Sequence, residues 1–513
     1  MYILCMGTFQ EADRHFIDSV ANLGYCNPFL TERVDLERAV LGREFQAGGP
    51  VWSASVSDPA ATRPNVPPIT RKVEAAIGRL QQCLADADDV SADELEGYAE
   101  TVHYLLYHRY YPRFANPGKQ HLYRDFLADW NRLCHVPGKR FEYTLPPDHL
   151  FACFRQIQRA FHAIYDRIIG NSMPAARLRA SIWQSVFTHD MRRYHRTLYR
   201  KMGEFPTLIT GPSGTGKELI ARAIAGSRYV PFDPDRLEFL EPLAESFLPI
   251  NLAALSPTLI ESELFGHRRG AFTGAIVDRH GWLEACPEAG SVFLDELGEM
   301  EHAIQVKLLR VIETRCFSAV GDTAVRQFHG KLIAATNRDL PREIRAGRFR
   351  EDLYYRLCAD LIRTPSLAEQ IADSPEVMHE LLLHMTKRTV GDEAERCLPE
   401  VESWIRQNLP SDYAWPGNYR ELEQCVRNVV IRRSYRPLEA SGTAEDDLVT
   451  AFRNGTLTSE ELLARYAAQV YQLTGSYEEA ARRMGLDRRT VKAKVEAFLK
   501  SRAPSPRPEG FFQ

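Results

Sequence analysis

The sequence predicts an α/β domain with a parallel sheet in the middle of the chain and mainly helical regions on both sides. Between about residues 180 and 365, short apolar runs alternate with helical patterns, at residues 207–210, 247–250, 291–294 and 331–335. Such alternation predicts parallel strands covered by helices. A glycine-rich turn follows the first of these runs, and the flanking regions contain no comparable strand pattern.

The length of 513 residues suggests roughly three domains of about 100 to 200 residues each. In the first region, four prolines between Pro59 and Pro68 predict a break from helix, as a loop within that region. The expected divisions are a helical N-terminal domain, an α/β domain, a helical lid, a linker, a small helical unit and a tail, at residues 1–180, 181–365, 366–435, 436–456, 457–500 and 501–513.

Composition limits the class of protein. Apolar residues make up 44% and charged residues 26% of the chain, as in soluble globular proteins. The net charge of -4 means that any affinity for nucleic acid must come from a local basic patch. Ten cysteines without a C-x-x-C pair or zinc-ligand spacing indicate reduced thiols. With no apolar run of about 18 residues and no signal peptide, the expected location is the cytoplasm, away from membranes.

The clearest chemical motif is a glycine-rich turn between the strand that ends at Thr210 and the helical run that begins at Leu219. Its glycines let backbone N–H groups and the helix N-terminus face a phosphate, while Lys217 adds a cation. This is a P-loop in its expected context and predicts ATP as the cofactor; the alternative is a flexible turn with a chance lysine. Its residues are Gly211, Ser213, Gly214, Thr215, Gly216, Lys217 and Glu218.

Two carboxylates follow the apolar run 291–294. Alone, an Asp-Glu pair at this position is an ordinary strand end. Together with the P-loop it predicts that Asp295 binds Mg²⁺ and that Glu296 polarises the attacking water. Glu218 occupies the place where Ser or Thr would offer a hydroxyl to the metal, so the metal depends on Asp295 and on water.

Between these motifs, one six-residue segment is specific to a family. Gly270, Ala271, Phe272, Thr273, Gly274 and Ala275 match the signature loop of sigma-54-dependent transcriptional activators letter for letter. The chain therefore resembles that family of AAA+ ATPases, in which this loop contacts the sigma factor. Small residues around one apolar side chain and one hydroxyl suit a mobile exposed tip. The alternative is a buried turn that holds Phe272 in the core.

The resemblance covers about residues 183 to 500 and implies further roles. It assigns Asn251 to holding Glu296 in an inactive pose, Asn337 to sensing the terminal phosphate, and Arg420 to contacting the phosphates from the lid. It also makes Arg350 and Arg356 arginines that act on the neighbouring subunit's nucleotide, which implies an oligomer, expected to be a hexamer. The alternative for both arginines is a surface ion pair with Glu351 or Asp352.

Three departures from the family pattern stand out. The stretch between Lys217 and Asn251 is longer than expected, with an insert around residues 232–236. The family's Gly-x-Ser segment near the adenine fits either residues 169–172 or residues 183–185, where Trp183 replaces the glycine; spacing favours the second. Residues 364–370 lack the family's proline-and-arginine-rich turn, so a differently hinged lid is expected.

The C-terminal unit resembles a Fis-like helix-turn-helix. Helices are predicted over 459–474, 477–484 and 488–499, with Asp487 capping the third. A small core is expected from Ala480, Ala481, Leu486, Val491, Val495 and Phe498. Arg488, Arg489 and Thr490 are the candidate base readers, and Lys492 and Lys494 the candidate phosphate contacts. A basic solvated face in a dimerisation module is the alternative.

The first 180 residues do not resemble the family's phosphoacceptor domain. Residues 103–114 are rich in aromatic and basic side chains and would suit a ligand or nucleic acid, although aromatics at helical spacing more often belong to a core. His103, His108 and His121 have no consistent metal-ligand spacing. A regulatory role is assigned to this region by its position only.

The resemblance implies an activator that binds enhancer DNA and couples ATP hydrolysis in an oligomeric ring to remodelling of sigma-54 RNA polymerase. A general AAA+ remodelling machine is disfavoured, because it has no need of the 270–275 loop or of a DNA reader. A DNA-binding regulator without motor activity is disfavoured because Lys217, Glu296 and the loop tip are intact.

Overall fold

A computed structural model describes residues 8–47, 63–115, 121–139, 141, 145–240, 247–437 and 457–501. The chain divides into two compact units, Met1–Tyr435 and Arg436–Gln513. Of the linker predicted over 436–456, residues 438–456 lie outside the described residues, as do residues 502–513 of the predicted tail.

The N-terminal region is helical as expected. Its helices are α1 (Glu11–Tyr25), α2 (Glu32–Leu41), α3 (Val66–Asp86), α4 (Ala92–Tyr110), α5 (His121–Cys134), α6 (Pro147–Tyr165), α7 (Met173–Phe187) and α8 (Met191–Arg196). Ser91 and Glu94 form a reciprocal cap at the start of α4.

The proline-rich break is shorter than predicted. Pro67 and Pro68 lie inside the first turn of α3, so the expectation that they exclude a helix is wrong. Proline is tolerated there, because the first helical N–H groups have no partner within the helix. Residues 57–62 of the predicted break are outside the described residues.

An aromatic core holds these helices together. It buries Tyr104, Tyr110 and Phe114 of the aromatic segment, together with Phe126 and Phe151 of α5 and α6. These rings therefore belong to the core, as the alternative interpretation held.

The central sheet has five parallel strands, which are β1 (Thr207–Thr210), β4 (Phe247–Asn251), β5 (Ser291–Asp295), β8 (Lys331–Thr336) and β9 (Asp360–Arg363). Their order across the sheet is β4-β5-β8-β1-β9. Four strands coincide with the predicted apolar runs, and β9 was not predicted. The predicted α/β fold class with a parallel sheet is confirmed.

The insert before β4 forms a two-stranded hairpin, β2 (Phe232–Asp233) and β3 (Glu238–Phe239). Phe232 is buried, and its ring centre lies 4.7 Å from that of Tyr123 and 4.9 Å from that of Phe151. The insert therefore joins the α/β region to the N-terminal aromatic core.

Helices cover the sheet and continue into a lid. They are α9 (Lys217–Ala225), α10 (Pro257–Phe265), α11 (Trp282–Ala285), α12 (His302–Thr314), α13 (Leu340–Arg345), α14 (Glu351–Leu357), α15 (Leu367–Asp373), α16 (Val377–Val390), α17 (Ala394–Asn408) and α18 (Asn418–Arg432), with a ribbon of β6 (Cys316–Phe317) and β7 (Arg326–Gln327). The lid, α15–α18, has its own core around Leu422, Val426 and Val429.

The second unit contains α19 (Ser459–Thr474), α20 (Tyr477–Met484) and α21 (Arg488–Ser501). Ala480, Ala481, Val491 and Val495 are buried in its core, and Leu486 packs against them half-buried. Phe498 is also half-buried. Across the described parts of both units, no helix combines the length and apolarity needed to cross a membrane.

Candidate nucleotide, loop and DNA-binding sites

The P-loop lies at the carboxyl end of β1 and opens into a cavity of about 460 Å³. The turn needs its glycines: Gly214 has φ +77°, and a Cβ added there would lie 2.2 Å from the carbonyl oxygen of Gly417 in the lid. Any larger residue would push the lid away from the loop. The cavity is lined by the loop from Ser213 to Glu218, by both predicted carboxylates, and by residues of the lid.

Lys217 is the buried cation of the site. Its Nζ donates hydrogen bonds to the carbonyl oxygens of Gly211 and Pro212, both at 3.0 Å. Burial lowers the pKa of Lys217, and the negative charges of Glu296 and Asp295 oppose that shift. The ammonium is therefore held over the loop, next to the space that a phosphate would enter.

The two carboxylates stand at the end of β5. Asp295 Oδ1 accepts the backbone N–H of Glu296 at 3.0 Å, and Glu296 has φ +56°, a conformation that non-glycine residues rarely adopt. Burial raises the pKa of Asp295, while that hydrogen bond and Lys217 lower it. The turn brings both carboxyl groups to the cavity wall.

The site fits a nucleotide with Mg²⁺. Glu218, the departure from the usual P-loop, is exposed and forms an ion pair with Arg222 at 2.7 Å. Within the described residues no cluster of three or more His, Cys, Asp or Glu side chains could hold a metal by itself. Mg²⁺ usually takes one or two carboxylates and completes its shell with phosphate oxygens and water, which suits Asp295 beside the P-loop.

The lid contacts the P-loop through Asn418, the first residue of α18. Asn418 is buried, and its Nδ2 donates to the carbonyl oxygen of Ser213 at 2.9 Å while its Oδ1 accepts the N–H of Leu367 at 2.8 Å. The N–H of Tyr419 donates to Gly214 O at 3.1 Å. Arg420 lines the cavity, with Nη1 3.5 Å from Ser213 Oγ.

The apolar end of the cavity is built differently from the favoured interpretation. Ile168, Ile169 and Leu178 line it. Trp183 instead packs against Phe187, with ring centres 4.5 Å apart, and is not among the residues that line the cavity. Of the two candidate segments, 169–172 contributes Ile169 to the lining and 183–185 contributes no residue, and the assignment of the adenine contacts stays a prediction.

The two asparagines lie at strand ends outside the cavity lining. Asn251 ends β4, beside Asp295 in the register, and its Oδ1 accepts the N–H of Ala253 at 3.0 Å. Among the described residues, Asn251 and Glu296 share no hydrogen bond. Asn337 is exposed directly after β8. Their roles stay predictions.

Both predicted trans-acting arginines lie away from the nucleotide cavity of their own chain. Arg350 donates to both carboxylate oxygens of Asp352, at 3.0 and 2.6 Å, and contacts His302. Arg356 donates to Glu313 at 3.0 Å. The ion pair that the alternative interpretation proposed for Arg350 does form, with Asp352, and Arg356 pairs with an unforeseen partner.

The 270–275 loop is a closed turn with an exposed tip. The N–H of Gly270 donates to Ala275 O at 2.8 Å, and Thr273 at the tip is exposed. Phe272 is half-buried, with its ring edge-on to His267 at 5.0 Å. The loop is therefore neither a fully free tip nor a buried turn: its base is anchored while the hydroxyl of Thr273 faces solvent.

The side chains predicted to contact DNA differ in whether another side chain already pairs with them. Asp487 caps α21 and accepts both the N–H of Thr490, at 2.9 Å, and its hydroxyl, at 2.5 Å. Arg488 pairs with Glu478 at 3.0 Å, and Lys494 with Glu460 at 2.8 Å. Lys492 lies 3.8 Å from Glu496. Within the described part of this unit, Arg489 is exposed and forms no ion pair.

Comparisons with known proteins agree with this geometry. The sigma-54 interaction domain family matches residues 185–363. The Nif-specific regulatory protein of Azotobacter vinelandii is 43% identical over 244 residues, covering 47% of this chain and 42% of that protein. A signal-transduction and transcriptional-control protein of Clostridium beijerinckii is 34% identical over 67% of this chain and 50% of its own. The transcriptional regulatory protein ZraR of Escherichia coli is 39% identical over 57% and 63%.

The chain thus spans about half the length of several of the curated relatives that it matches. Among solved structures, NtrX from Brucella abortus in complex with ATP is 21% identical and has a TM-score of 0.38, covering 74% of this chain and 80% of that one. The family match and the relatives identify residues 185–363 as a sigma-54 interaction domain, the domain that this chain shares with the sigma-54-dependent activator family.

Proposed function

We propose that this protein is an ATP-hydrolysing activator of sigma-54-dependent transcription. It binds enhancer DNA through its C-terminal unit, assembles into a ring, expected to be a hexamer, and remodels sigma-54 RNA polymerase in the cytoplasm. One observation carries the proposal: a single domain holds both the P-loop cavity with Lys217, Asp295 and Glu296 and the closed loop that exposes Thr273.

The residues of the cavity divide the work of hydrolysis. Lys217 places its charge against the outer phosphates, and the P-loop N–H groups hold the chain of phosphates in place. Bound Mg²⁺, held by Asp295, would neutralise charge on the phosphate oxygens. Glu296, at the cavity wall on a strained backbone turn, is positioned to accept a proton from the attacking water. Arg420 closes the site from the lid.

Arg350 and Arg356 require a second subunit to reach a nucleotide, because neither lines the cavity of its own chain. In a ring, an arginine from one subunit would face the terminal phosphate of the next and stabilise the charge that develops during transfer. The ATPase is therefore expected to depend on assembly.

A pair of substitutions separates nucleotide binding from hydrolysis. Lys217→Ala removes the phosphate cation and should weaken ATP binding, whereas Glu296→Gln should keep binding and arrest phosphate release. Titration with a fluorescent ATP analogue and a phosphate-release assay report the two steps, and mass photometry with nucleotide reports assembly. Equal loss of binding in both variants would contradict these roles, and full turnover by a monomer would contradict the trans role of the arginines.

The activator claim is tested at the tip of the loop. Thr273→Ala should keep ATP binding, assembly and most hydrolysis, but should fail to open a sigma-54 promoter in transcription with purified polymerase. Thr258→Ala is the matched control, since Thr258 is another exposed threonine of the same domain, in α10.

Binding of sigma-54 polymerase should also follow the nucleotide state. We expect capture with ADP–aluminium fluoride, which imitates the phosphoryl group in transfer, and weak capture with ADP. Wild-type transcription by the Thr273→Ala protein, or equal capture in both states, would overturn the activator function and favour a general remodelling ATPase.

A further inference from the structure

The N-terminal region contains a second large cavity, of about 570 Å³, that has no part in the nucleotide site. It lies between α1, α2, α3, α4, α6, α7 and α8. Its wall is largely aromatic and aliphatic, with Tyr104, Tyr107, Phe154, Ile157, Phe161 and Trp183 among its residues. The volume falls within the range of about 300–1,000 Å³ that is usual for small-molecule sites, and apolar walls with a few polar groups are typical of them.

Both carboxylates along this wall are paired with arginines. Arg33 pairs with Glu37 at 2.6 Å, with both side chains buried, and Glu100 accepts two hydrogen bonds from Arg192, at 2.7 and 2.9 Å. Arg63 and Arg71 also line the cavity and form no ion pair within the described part of the chain, and Arg63 lies over the ring of Phe161, 5.1 Å from its centre. A cationic ligand would therefore find no free carboxylate among the described residues of this cavity, which costs desolvation energy.

Three uncharged residues that line the same cavity have ring nitrogens without a hydrogen-bond partner in the part of the chain that the structure describes. His103 Nε2, Trp183 Nε1 and both ring nitrogens of His195 are buried and have no hydrogen-bond partner among the described residues. The three residues are 6%, 3% and 2% exposed. Buried polar atoms are nearly always hydrogen-bonded, so four unpartnered nitrogens on one cavity wall need an explanation.

The protonation state of these nitrogens determines which polar groups they can bind. Burial lowers the pKa of His103 to about 4 and that of His195 to about 3, so both rings are neutral at neutral pH. A neutral imidazole offers one donor and one acceptor, and the indole N–H of Trp183 offers a donor. The wall can therefore satisfy a group that both donates and accepts, such as a hydroxyl.

We propose that this cavity is the binding site of a ring-containing small molecule that has no positive charge and carries a hydroxyl or a similar polar group. The rings of Tyr104, Tyr107 and Phe161 enclose its apolar body, and the nitrogens of His103, Trp183 and His195 bind its polar group. The proposal adds an effector site to the N-terminal region, to which the sequence analysis assigned a regulatory role by position.

The two cavities share structural elements. Phe154 and Phe161 of α6 and Trp183 of α7 line the N-terminal cavity, while the segment that joins these helices contributes Ile168 and Ile169 to the nucleotide cavity. The guanidinium of Arg179, fully buried in α7, donates to the carbonyl oxygens of Ile168 and Gly170 and holds that segment in place. A molecule in the N-terminal cavity would thus contact the same pair of helices that positions the wall of the nucleotide cavity.

Three related probes test the site on the full-length protein by equilibrium dialysis. 2-Naphthol is neutral and carries a hydroxyl, naphthalene has no polar group, and 2-naphthylmethylammonium carries a positive charge. We expect one saturable site for 2-naphthol, weaker binding of naphthalene by roughly fivefold for one net hydrogen bond, and at least tenfold weaker binding of 2-naphthylmethylammonium. Absence of saturable 2-naphthol binding, or equal affinity for 2-naphthylmethylammonium, would overturn the proposed ligand class.

A space-filling substitution locates the bound probe. Thr70→Trp places a large ring in the cavity, because Thr70 lines it; its hydroxyl donates to the carbonyl oxygen of Val66 in the same helix and also contacts Tyr104. Ala75→Trp adds the same ring to the exposed side of α3 and is the control. The first variant should lose at least tenfold in 2-naphthol affinity and the second should not, with ATP binding kept in both as the test of folding. Unchanged affinity in a folded Thr70→Trp protein would exclude this cavity.

A second substitution tests the polar end of the site and does not depend on filling the cavity. His195→Phe keeps a ring but removes both unpartnered nitrogens. Affinity for 2-naphthol should fall by roughly fivefold while that for naphthalene stays the same. An equal change for the two probes would show that the imidazole contributes only to shape and would overturn its assigned role.

Discussion

Asn418 joins the lid to the P-loop. We expect that removing its side chain weakens nucleotide binding, although Asn418 is not one of the residues expected to contact the phosphates. The side chain bridges Ser213 O and the buried N–H of Leu367, and its backbone has φ +51°. Each buried hydrogen bond contributes about 1 kcal/mol net, and a buried N–H left unpaired adds a further cost. Alanine at positive φ adds about 1 kcal/mol more. The total for Asn418→Ala is therefore about 3–4 kcal/mol.

That energy is divided between the stability of the lid and the order of the P-loop. If half of it acts on the loop, ATP affinity falls by at least tenfold, because about 1.4 kcal/mol corresponds to a factor of ten. Asn418→Asp keeps an acceptor for Leu367 but loses the donor to Ser213, so it should fall between wild type and alanine. Asn418→Gly loses both bonds yet tolerates the backbone angle, and should be less damaging than alanine.

Isothermal titration with ATP measures the effect, and thermal unfolding gives the change in stability. Asn408→Ala is the matched control, because Asn408 is an exposed lid asparagine whose Nδ2 bonds only to Trp404 O in its own helix. If Asn418→Ala and Asn408→Ala bind ATP equally well, the bridge does not order the P-loop and the reasoning fails.

Three further predictions concern other parts of the molecule. Because burial raises the pKa of Asp295 above 3.8, the folded state favours its protonated form, and that contribution is lost as pH rises through the folded pKa. Asp295→Asn should therefore raise the unfolding temperature at pH 7, with a gain that shrinks towards pH 4, while Mg²⁺-dependent hydrolysis is lost. Phe232→Ala should cost about 3–5 kcal/mol in chemical denaturation, since it removes a ring from the N-terminal core, and a loss below 1 kcal/mol would mean that the hairpin is not anchored there. In anisotropy titrations on a mapped enhancer, Arg489→Ala should cost about 1–3 kcal/mol of discrimination against random DNA. Lys494→Ala should change only the salt dependence of binding, because Lys494 already pairs with Glu460.

The sequence predicted the parts of the fold that local chemistry determines. The runs that became β1, β5 and β8 are apolar because these inner strands are buried on both faces. The run that became β4 is apolar although it is an edge strand in which only Ile250 is buried. The strand β9 was missed because Asp360 and Arg363 place polar residues at both ends of a four-residue segment. Its Asp360 accepts a hydrogen bond from Thr207 of β1 at 2.6 Å, a long-range contact that no local pattern reports.

The candidate site also contains residues that local motifs predict and residues whose role depends on distant parts of the chain. Lys217, Asp295 and Glu296 follow from motif spacing, and the structure brings all three to one cavity. The bridging role of Asn418 was not foreseen, because it depends on partners in the P-loop and at the start of α15, about 200 and 50 residues away. The position of Trp183 outside the nucleotide cavity was not predictable for a related reason: distance along the chain does not show which side of a helix faces a cavity.

The surface pairing of Arg350 and Arg356 bears on how assembly could switch the enzyme on. Exposed ion pairs such as Arg350–Asp352 and Arg356–Glu313 contribute little to stability, because the surrounding water screens them. An arginine that stabilises phosphoryl transfer gains about 10³ to 10⁵ in rate, equivalent to about 4–7 kcal/mol. Exchanging the surface ion pair for contact with a neighbouring subunit's nucleotide is therefore favourable, even if the ion pair must be broken completely. The ion pairs therefore do not compete with the proposed trans role: they hold both side chains in defined positions on one subunit, at a cost that contact with a neighbouring nucleotide can readily offset.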